Sequence, residues 1–373
     1  MGFRVAELLN HLGVVRSVKP TTLARRLISL LPDYWLTDGF SSTLVNITLE
    51  LTYKCNLQCS FCFIKDVLNT KRAELSLEEI RGLVADAKEL GAGFFLIGGE
   101  PFARRDAVDI VEMIKSEGLK CGANTNGILL ANRDMDRLAA SGMDYLIFSL
   151  NGPPAVHDAV TKVPGSFRRT MMNLQYMLSK PRPPRMVVNA VITPETYRDL
   201  DAFYASLVGQ GLDAVTFQHE TFVTDREIRA HDACWKRMFP HDPVALVVNR
   251  NGEGKVDTDA IYETQERILD GAKKDGMQVS FKPHLSREET HDWYNTEKRF
   301  DSRCSYIWTD TRISPEGNVV PCQFMPLAAG NIRETRLRDI LNNDKYRAFR
   351  RENRDAGGMF PACNRCCKLY RTL

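Results

Sequence analysis

The chain has 373 residues, 43% of them hydrophobic and 26% charged, with 50 basic side chains against 47 acidic. That balance excludes a disordered or fibrous chain, and the length allows one large or two ordinary domains without disulfide staples. No apolar run approaches the roughly 18 residues of a spanning helix, and the N-terminus lacks a signal-peptide core, so the expected location is the cytoplasm.

Residues 1–44 read as a helical extension, in which PTTLARRLISLLPDYW forms a basic amphipathic helix expected to cap a barrel rather than touch a membrane. VNITLEL at 45–51 reads as a strand. A capping box at Ser76 and Glu79 then opens the helix in LSLEEIRGLVADAKELG. The alternation repeats with apolar runs at 93–98, 119–125, 145–150, 186–193 and 213–219, most followed by a helical pattern of ten or more residues. Runs such as FFLI and YLIF suit strands covered on both faces. The predicted class is α/β, a partial (β/α)6 barrel over 45–285. Within it, 220–258 form a mixed insertion with a polar turn at Gly252 and Gly254, and a helix precedes QVSF at 278–281. From 286 to 373 a small C-terminal domain is expected. Its signals are a hairpin turning at Glu316, Gly317 and Asn318, a helix through LRDILNNDKYRAFR and a loop with three cysteines.

Chemistry in such sheets gathers beyond the carboxyl ends of the strands. The residues there are polar and glycine-rich: a cysteine loop, Gly98-Gly99-Glu100-Pro101, Asn124-Thr125-Asn126-Gly127, Ser149 with Asn151, Thr193, then Gln218, His219 and Glu220. Six such loops can converge on one mouth. His219 and Glu220 are the candidate substrate contacts, against a local hydrogen-bonding role.

Ten cysteines in a protein of a reducing compartment point to metal or catalysis rather than to bridges. Cys55, Cys59 and Cys62 share one loop; three thiolates suit a soft metal or an iron–sulfur cluster with one open position, or a zinc whose fourth ligand lies elsewhere. Cys304, Cys322, Cys363 and Cys366 supply four thiolates from the hairpin and the terminal loop, enough to close a cluster or a structural zinc site. Cys366 is preferred over adjacent Cys367 on its C-x2-C spacing. Cys121 and Cys234 read as buried small hydrophobes.

The spacing Cys55-x3-Cys59-x2-Cys62 after a first strand, with Phe61 before the third cysteine, resembles the signature loop of the radical S-adenosylmethionine (SAM) superfamily. Gly98-Gly99-Glu100-Pro101, one strand–helix unit later, resembles that superfamily's methionine-amino-group motif. The resemblance implies an enzyme in which Cys55, Cys59 and Cys62 hold a [4Fe-4S] cluster whose open iron binds SAM. SAM is cleaved to methionine and a 5′-deoxyadenosyl radical that takes a substrate hydrogen. It places the Phe61 backbone near adenine and Gly98, Gly99, Glu100 and Pro101 at the methionine amino group. Ser149 lies where relatives carry Ser-Leu-Asp-Gly; here Asn151 replaces the acid. Asn126 and Asn189 are further cofactor candidates, and Arg168 or Arg169 could meet a carboxylate. The second cysteine set, with Gly317 and Gly330-Asn331-Ile332, resembles the twitch form of the SPASM auxiliary domain and implies one auxiliary [4Fe-4S] cluster, with Tyr306 and Trp308 packed around it.

The implied partners are a flavodoxin- or ferredoxin-type reductant and a substrate, with no nucleic acid. A small biosynthetic intermediate is the favoured substrate and a ribosomal peptide the alternative, because 44 residues before the first strand are few for a leader-binding domain. An electron carrier or scaffold without catalysis is the alternative of another class. Residues 331–373 carry eleven Lys or Arg against five acidic residues, a tail that suits either an acidic partner or a solvated face.

Overall fold

The computed structural model describes residues 33–243, 246–250 and 256–369. The N-terminal helix expectation, apart from Asp33–Leu36, and the Gly252/Gly254 turn lie outside them. The six expected strands form as β1 (Asn46–Glu50), β2 (Gly93–Ile97), β3 (Cys121–Thr125), β4 (Tyr145–Ser149), β5 (Arg185–Ile192) and β6 (Ala214–His219). All pair in parallel and in chain order. The Ser76/Glu79 capping box is present, and helix Leu77–Leu90 ends on Gly91 in the left-handed region, where glycine carries no Cβ penalty.

A short parallel ladder, β7 (Phe222–Val223) with β8 (Asn249–Arg250), lies in the insertion on either side of helix Asp225–Met238. The sheet then runs past the six-stranded expectation at both ends. QVSF becomes β9 (Gln278–Lys282), parallel to β6. The hairpin strands β10 (Asp310–Ile313) and β11 (Asn318–Val320) form as expected, but β10 also pairs in parallel with β1, and β12 (Gly330–Asn331) pairs with β11. One ten-stranded sheet therefore crosses residue 286. Strand alternation explains the core. Ile47, Leu49, Val188, Ala190, Val215 and Phe217 turn to the helices and are buried.

The helix expected through 337–350 is two, Leu337–Ile340 and Asp344–Asp355. Their cations are used inside the molecule. Arg333 pairs with Glu79, Arg336 with Asp86 and Glu89, and Arg347 and Arg351 with Asp38. Arg350 is buried, donating to the carbonyls of Ile307, Gly39 and Leu341. The local excess of positive charge thus docks the C-terminal helices onto Leu77–Leu90 and onto residues 38–39. Among the described residues no helix is long and apolar enough to cross a membrane.

Candidate cofactor sites

Beyond β1 the chain enters the first cysteine loop, and the next two strand ends hold it. Gly99 N–H donates to Thr52 O and Glu100 N–H to Lys54 O, each at 2.8 Å. A Cβ on Gly98 would stand 2.5 Å from Thr52 O and one on Gly99 2.5 Å from Lys54 O, so only glycine permits this approach. Pro101 opens a 3-10 turn immediately after it. Glu100 is buried; its carboxylate accepts from Thr125 Oγ1 (2.7 Å), Asn126 N–H (2.7 Å) and Phe102 N–H (3.1 Å). Burial nevertheless pushes its carboxyl up to about 7. Asn126 Nδ2 reaches back to Asn56 Oδ1 at 2.9 Å, inside the cysteine loop. Three consecutive strand ends are thereby tied together.

Farther along the loop, Asn69 closes the base on Cys55 through its side-chain amide, while Gln58 and Ser60 N–H donate to Thr161 and Val160 carbonyls. Burial raises the Cys55 thiol to about 11 and Cys59 to about 12, and lifts Cys62 as well; Cys59 also feels the other two thiols. Leu57 N–H donates to Cys55 Sγ at 3.4 Å. Buried, mutually repelling thiols favour ionisation only with a cationic centre among them.

The second set is assembled from distant segments. Cys304, Cys322, Cys363 and Cys366 line a narrow, open-mouthed cavity with Tyr306 and Phe324. Cys322 is pushed up to about 11 by burial and by Cys304. Cys366 is raised by its contact with Cys367 and by burial, and it feels Cys322 and Cys363; Cys363 is raised mainly by burial. Cys366 lines the cavity and Cys367 does not. Among the described residues no group of three or more His, Cys, Asp or Glu is placed to hold one metal ion.

The terminal loop is locked by a buried cluster that no sequence pattern announced. Arg365, 1% exposed, donates to both oxygens of Glu227 at 2.6 Å and to the carbonyls of Trp293 and Thr296. Asn364 Nδ2 donates to Glu227 Oε1 at 2.9 Å, and Asn364 Oδ1 accepts from Phe300 N–H. Glu227 is also the reciprocal half of the capping box of helix Asp225–Met238. A second buried pair, Glu50 with Arg312, joins β1 to β10 beside Gln323.

Inside the barrel, Ser149, Asn189, Thr216 and Ser280 stand in register across β4, β5, β6 and β9. Ser149 Oγ accepts from Asn124 Nδ2, and Thr216 and Ser280 are linked by a 3.1 Å hydrogen bond. Asn189 stands half-buried between them. Asn151 is buried just beyond the end of β4. Its Oδ1 accepts from Val191 N–H at 2.9 Å, so the side chain closes β4 onto β5. His219 corrects the substrate-contact expectation: it is fully buried on the face of β6 shared with Val215 and Phe217. Its Nδ1 is 2.9 Å from Tyr294 Oη, and its ring is tilted 5.8 Å from that of Trp293. Burial lowers it to about 3 and keeps it neutral. Strand parity sends one residue of each adjacent pair away from the mouth.

Glu220 goes the other way. It is half-buried, and burial with the nearby Glu195 carboxylate pushes it up to about 7. Arg168 and Arg169 are exposed. Cys121 is buried as expected, Cys234 half-buried with its thiol 3.8 Å from Met238 Sδ. Tyr306 lines the second cavity, whereas Trp308 packs in the aromatic core behind it.

Residues 49–207 match the model of the radical SAM superfamily, and residues 304–367 that of an iron–sulfur cluster-binding domain, SPASM. A PqqA peptide cyclase of Methylocella silvestris is 34% identical over 316 residues, covering 82% of this chain and 76% of the relative. The chain belongs to the radical SAM superfamily. An AdoMet-dependent heme synthase of Methanosarcina barkeri is 26% identical over 303 residues, 80% of this chain and 82% of that one. Streptococcus suis SuiB, solved with S-adenosylmethionine, shares the fold at TM-score 0.62 and 17% identity, over 88% of this chain and 72% of its own. As a radical SAM enzyme the chain uses a [4Fe-4S] cluster with SAM, and its SPASM domain adds an auxiliary iron–sulfur cluster.

Proposed function

We propose that this radical SAM enzyme takes a hydrogen atom from an unactivated C–H bond of a peptide held at the barrel mouth. The observation that carries the peptide is the 34% identity to a PqqA peptide cyclase over 82% of this chain. In this reading Cys55, Cys59 and Cys62 hold the SAM-binding cluster, and Cys304, Cys322, Cys363 and Cys366 the auxiliary one. When bound, the reduced cluster and SAM supply the hydrogen-abstracting radical.

The chain's own groups position and exclude. Gly98 and Gly99 present main chain where a Cβ would collide, and Glu100 and Pro101 keep that main chain in place. Phe61, Asn126, Ser149 and Asn189 border the same mouth and are the proposed contacts to SAM. Glu220 is the proposed substrate contact. Electrons enter from a flavodoxin- or ferredoxin-type carrier.

The 26% identity to a heme synthase favours a second reading, a small biosynthetic intermediate as substrate. Anaerobic turnover with dithionite, SAM and either peptide or small-molecule fractions from deuterium-grown cells separates the two. Deuterium in 5′-deoxyadenosine from the peptide fraction supports the first reading, and from the small-molecule fraction the second. No 5′-deoxyadenosine with either, from protein carrying both clusters, would overturn the proposed hydrogen abstraction.

A further inference from the structure

The stretch 246–250 carries no cysteine and matches no motif, yet it touches both cysteine loops. Val247 N–H donates to Phe324 O, two residues past Cys322, at 3.0 Å. Asn249 Nδ2 donates to Phe61 O, one residue before Cys62, at 2.9 Å and lies 3.5 Å from Glu220 Oε1. A primary amide has two N–H bonds, and these two acceptors sit on separate elements. The β7–β8 ladder, with Phe222 opposite Asn249, fixes the register that aims the side chain at both.

Holding the Phe61 carbonyl has a specific effect. The peptide unit between Phe61 and Cys62 is planar, so one bond to its oxygen also orients the Cys62 N–H and Cα. That N–H donates to Cys59 O at 3.1 Å and closes the Cys59–Cys62 turn. Glu220 is itself fixed by main chain: its N–H donates to Ile192 O and its carbonyl accepts from Trp293 Nε1 at 3.0 Å. The rings of Phe63 and Phe324 meet edge to face, 5.7 Å apart, and brace the same junction.

We propose that Asn249 is a positioning residue of the SAM site, locking the Cys59–Cys62 turn to the barrel mouth at Glu220. The inference rests on the assignment of Cys55, Cys59 and Cys62 to the SAM-binding cluster. Partners of this kind, one step removed from the ligands, typically contribute 10- to 100-fold in affinity or activity.

The test uses the full chain with both clusters reconstituted, measuring iron per chain and the SAM dissociation constant from the change in the electron paramagnetic resonance signal of the reduced cluster. Asn249→Ala is expected to keep its iron and bind SAM about tenfold more weakly. Asn249→Asp should be weaker still, because a carboxylate then faces two oxygen acceptors, and adding Glu220→Gln should recover part of that loss. SAM affinity within twofold of wild type in Asn249→Ala would overturn the proposal. So would a parallel fall of iron, affinity and melting temperature in both single variants, which assigns Asn249 to folding alone. If wild-type protein itself shows no SAM-dependent signal change, the cluster assignment fails instead.

Discussion

In the first cysteine loop three thiols lie within eight residues and are held by main-chain bonds from the adjacent strand ends; in the second, four thiols spread over 63 residues are drawn together by side chains. The first draws on β1, β2 and β3 with their loops and on two carbonyls of helix Pro154–Thr161. The second needs helix Asp225–Met238, helix Arg287–Asn295 and the terminal loop docked at once, through Glu227, Arg365 and Asn364. The contrast implies that single side-chain changes can empty the second site while sparing the first, whereas the first yields only to its cysteines and glycines.

The cysteines themselves break the comparison most completely. Cys59→Ala should bring SAM cleavage to background and remove about four irons, and Cys322→Ala should remove about four irons while the first cluster still assembles. Iron analysis and mass spectrometry of 5′-deoxyadenosine read both. Loss of all iron in Cys322→Ala would mean that the two sites fold as one unit.

Arg365→Leu probes the side-chain clamp. It leaves Glu227 buried without its cation, which costs about 3–5 kcal/mol when one partner of a buried pair is removed. The expected result is a lower urea midpoint and loss of the auxiliary iron, with the SAM-dependent signal of the first cluster retained. Gly99→Ala is the mirror experiment. Its Cβ needs the Lys54 carbonyl to move, an overpacking cost of about 1–3 kcal/mol, and the iron lost should be that of the first site.

The same contrast explains what could be read from the sequence. Six parallel strands, the first cysteine loop and the Gly-Gly contact were legible because each is written in consecutive residues with a fixed period or spacing. The sheet's extension through β10 was not: DTRI has no feature that selects β1 as a neighbour, and pairing across more than 250 residues is decided by packing. Asn249 and Arg365 were missed because an amide or a guanidinium takes its role from what the fold places opposite it. His219 was misplaced because the end of a strand fixes a location and only strand parity fixes the face. Glu100 was found as part of its motif, but the three protein donors to its carboxylate are something no local pattern could show.

Two buried histidines sharpen the comparison at the smallest scale, one beside each loop. His157 lies in the helix whose carbonyls hold the first loop, and its Nδ1 accepts from Asn151 N–H at 3.1 Å. His231 packs against Trp235 and Phe360 near the second loop, and neither ring nitrogen has a partner among the described residues. Burial lowers both to about 4, against about 6.5 in the unfolded chain. A depressed folded value means that unfolding takes up a proton. Each histidine therefore lends stability that is fully present above pH 6.5 and lost as pH falls toward 4, at about 1.4 kcal/mol per pH unit. His231→Phe removes that slope without orphaning a partner, so it should be near neutral at pH 7.5 and more stable than wild type by about 2 kcal/mol at pH 5. His157→Phe removes the same slope but strands the Asn151 N–H, costing about 1–3 kcal/mol at every pH. Urea unfolding of both variants between pH 5 and 7.5 measures the two effects, and identical curves would show that the partner on His157 contributes nothing.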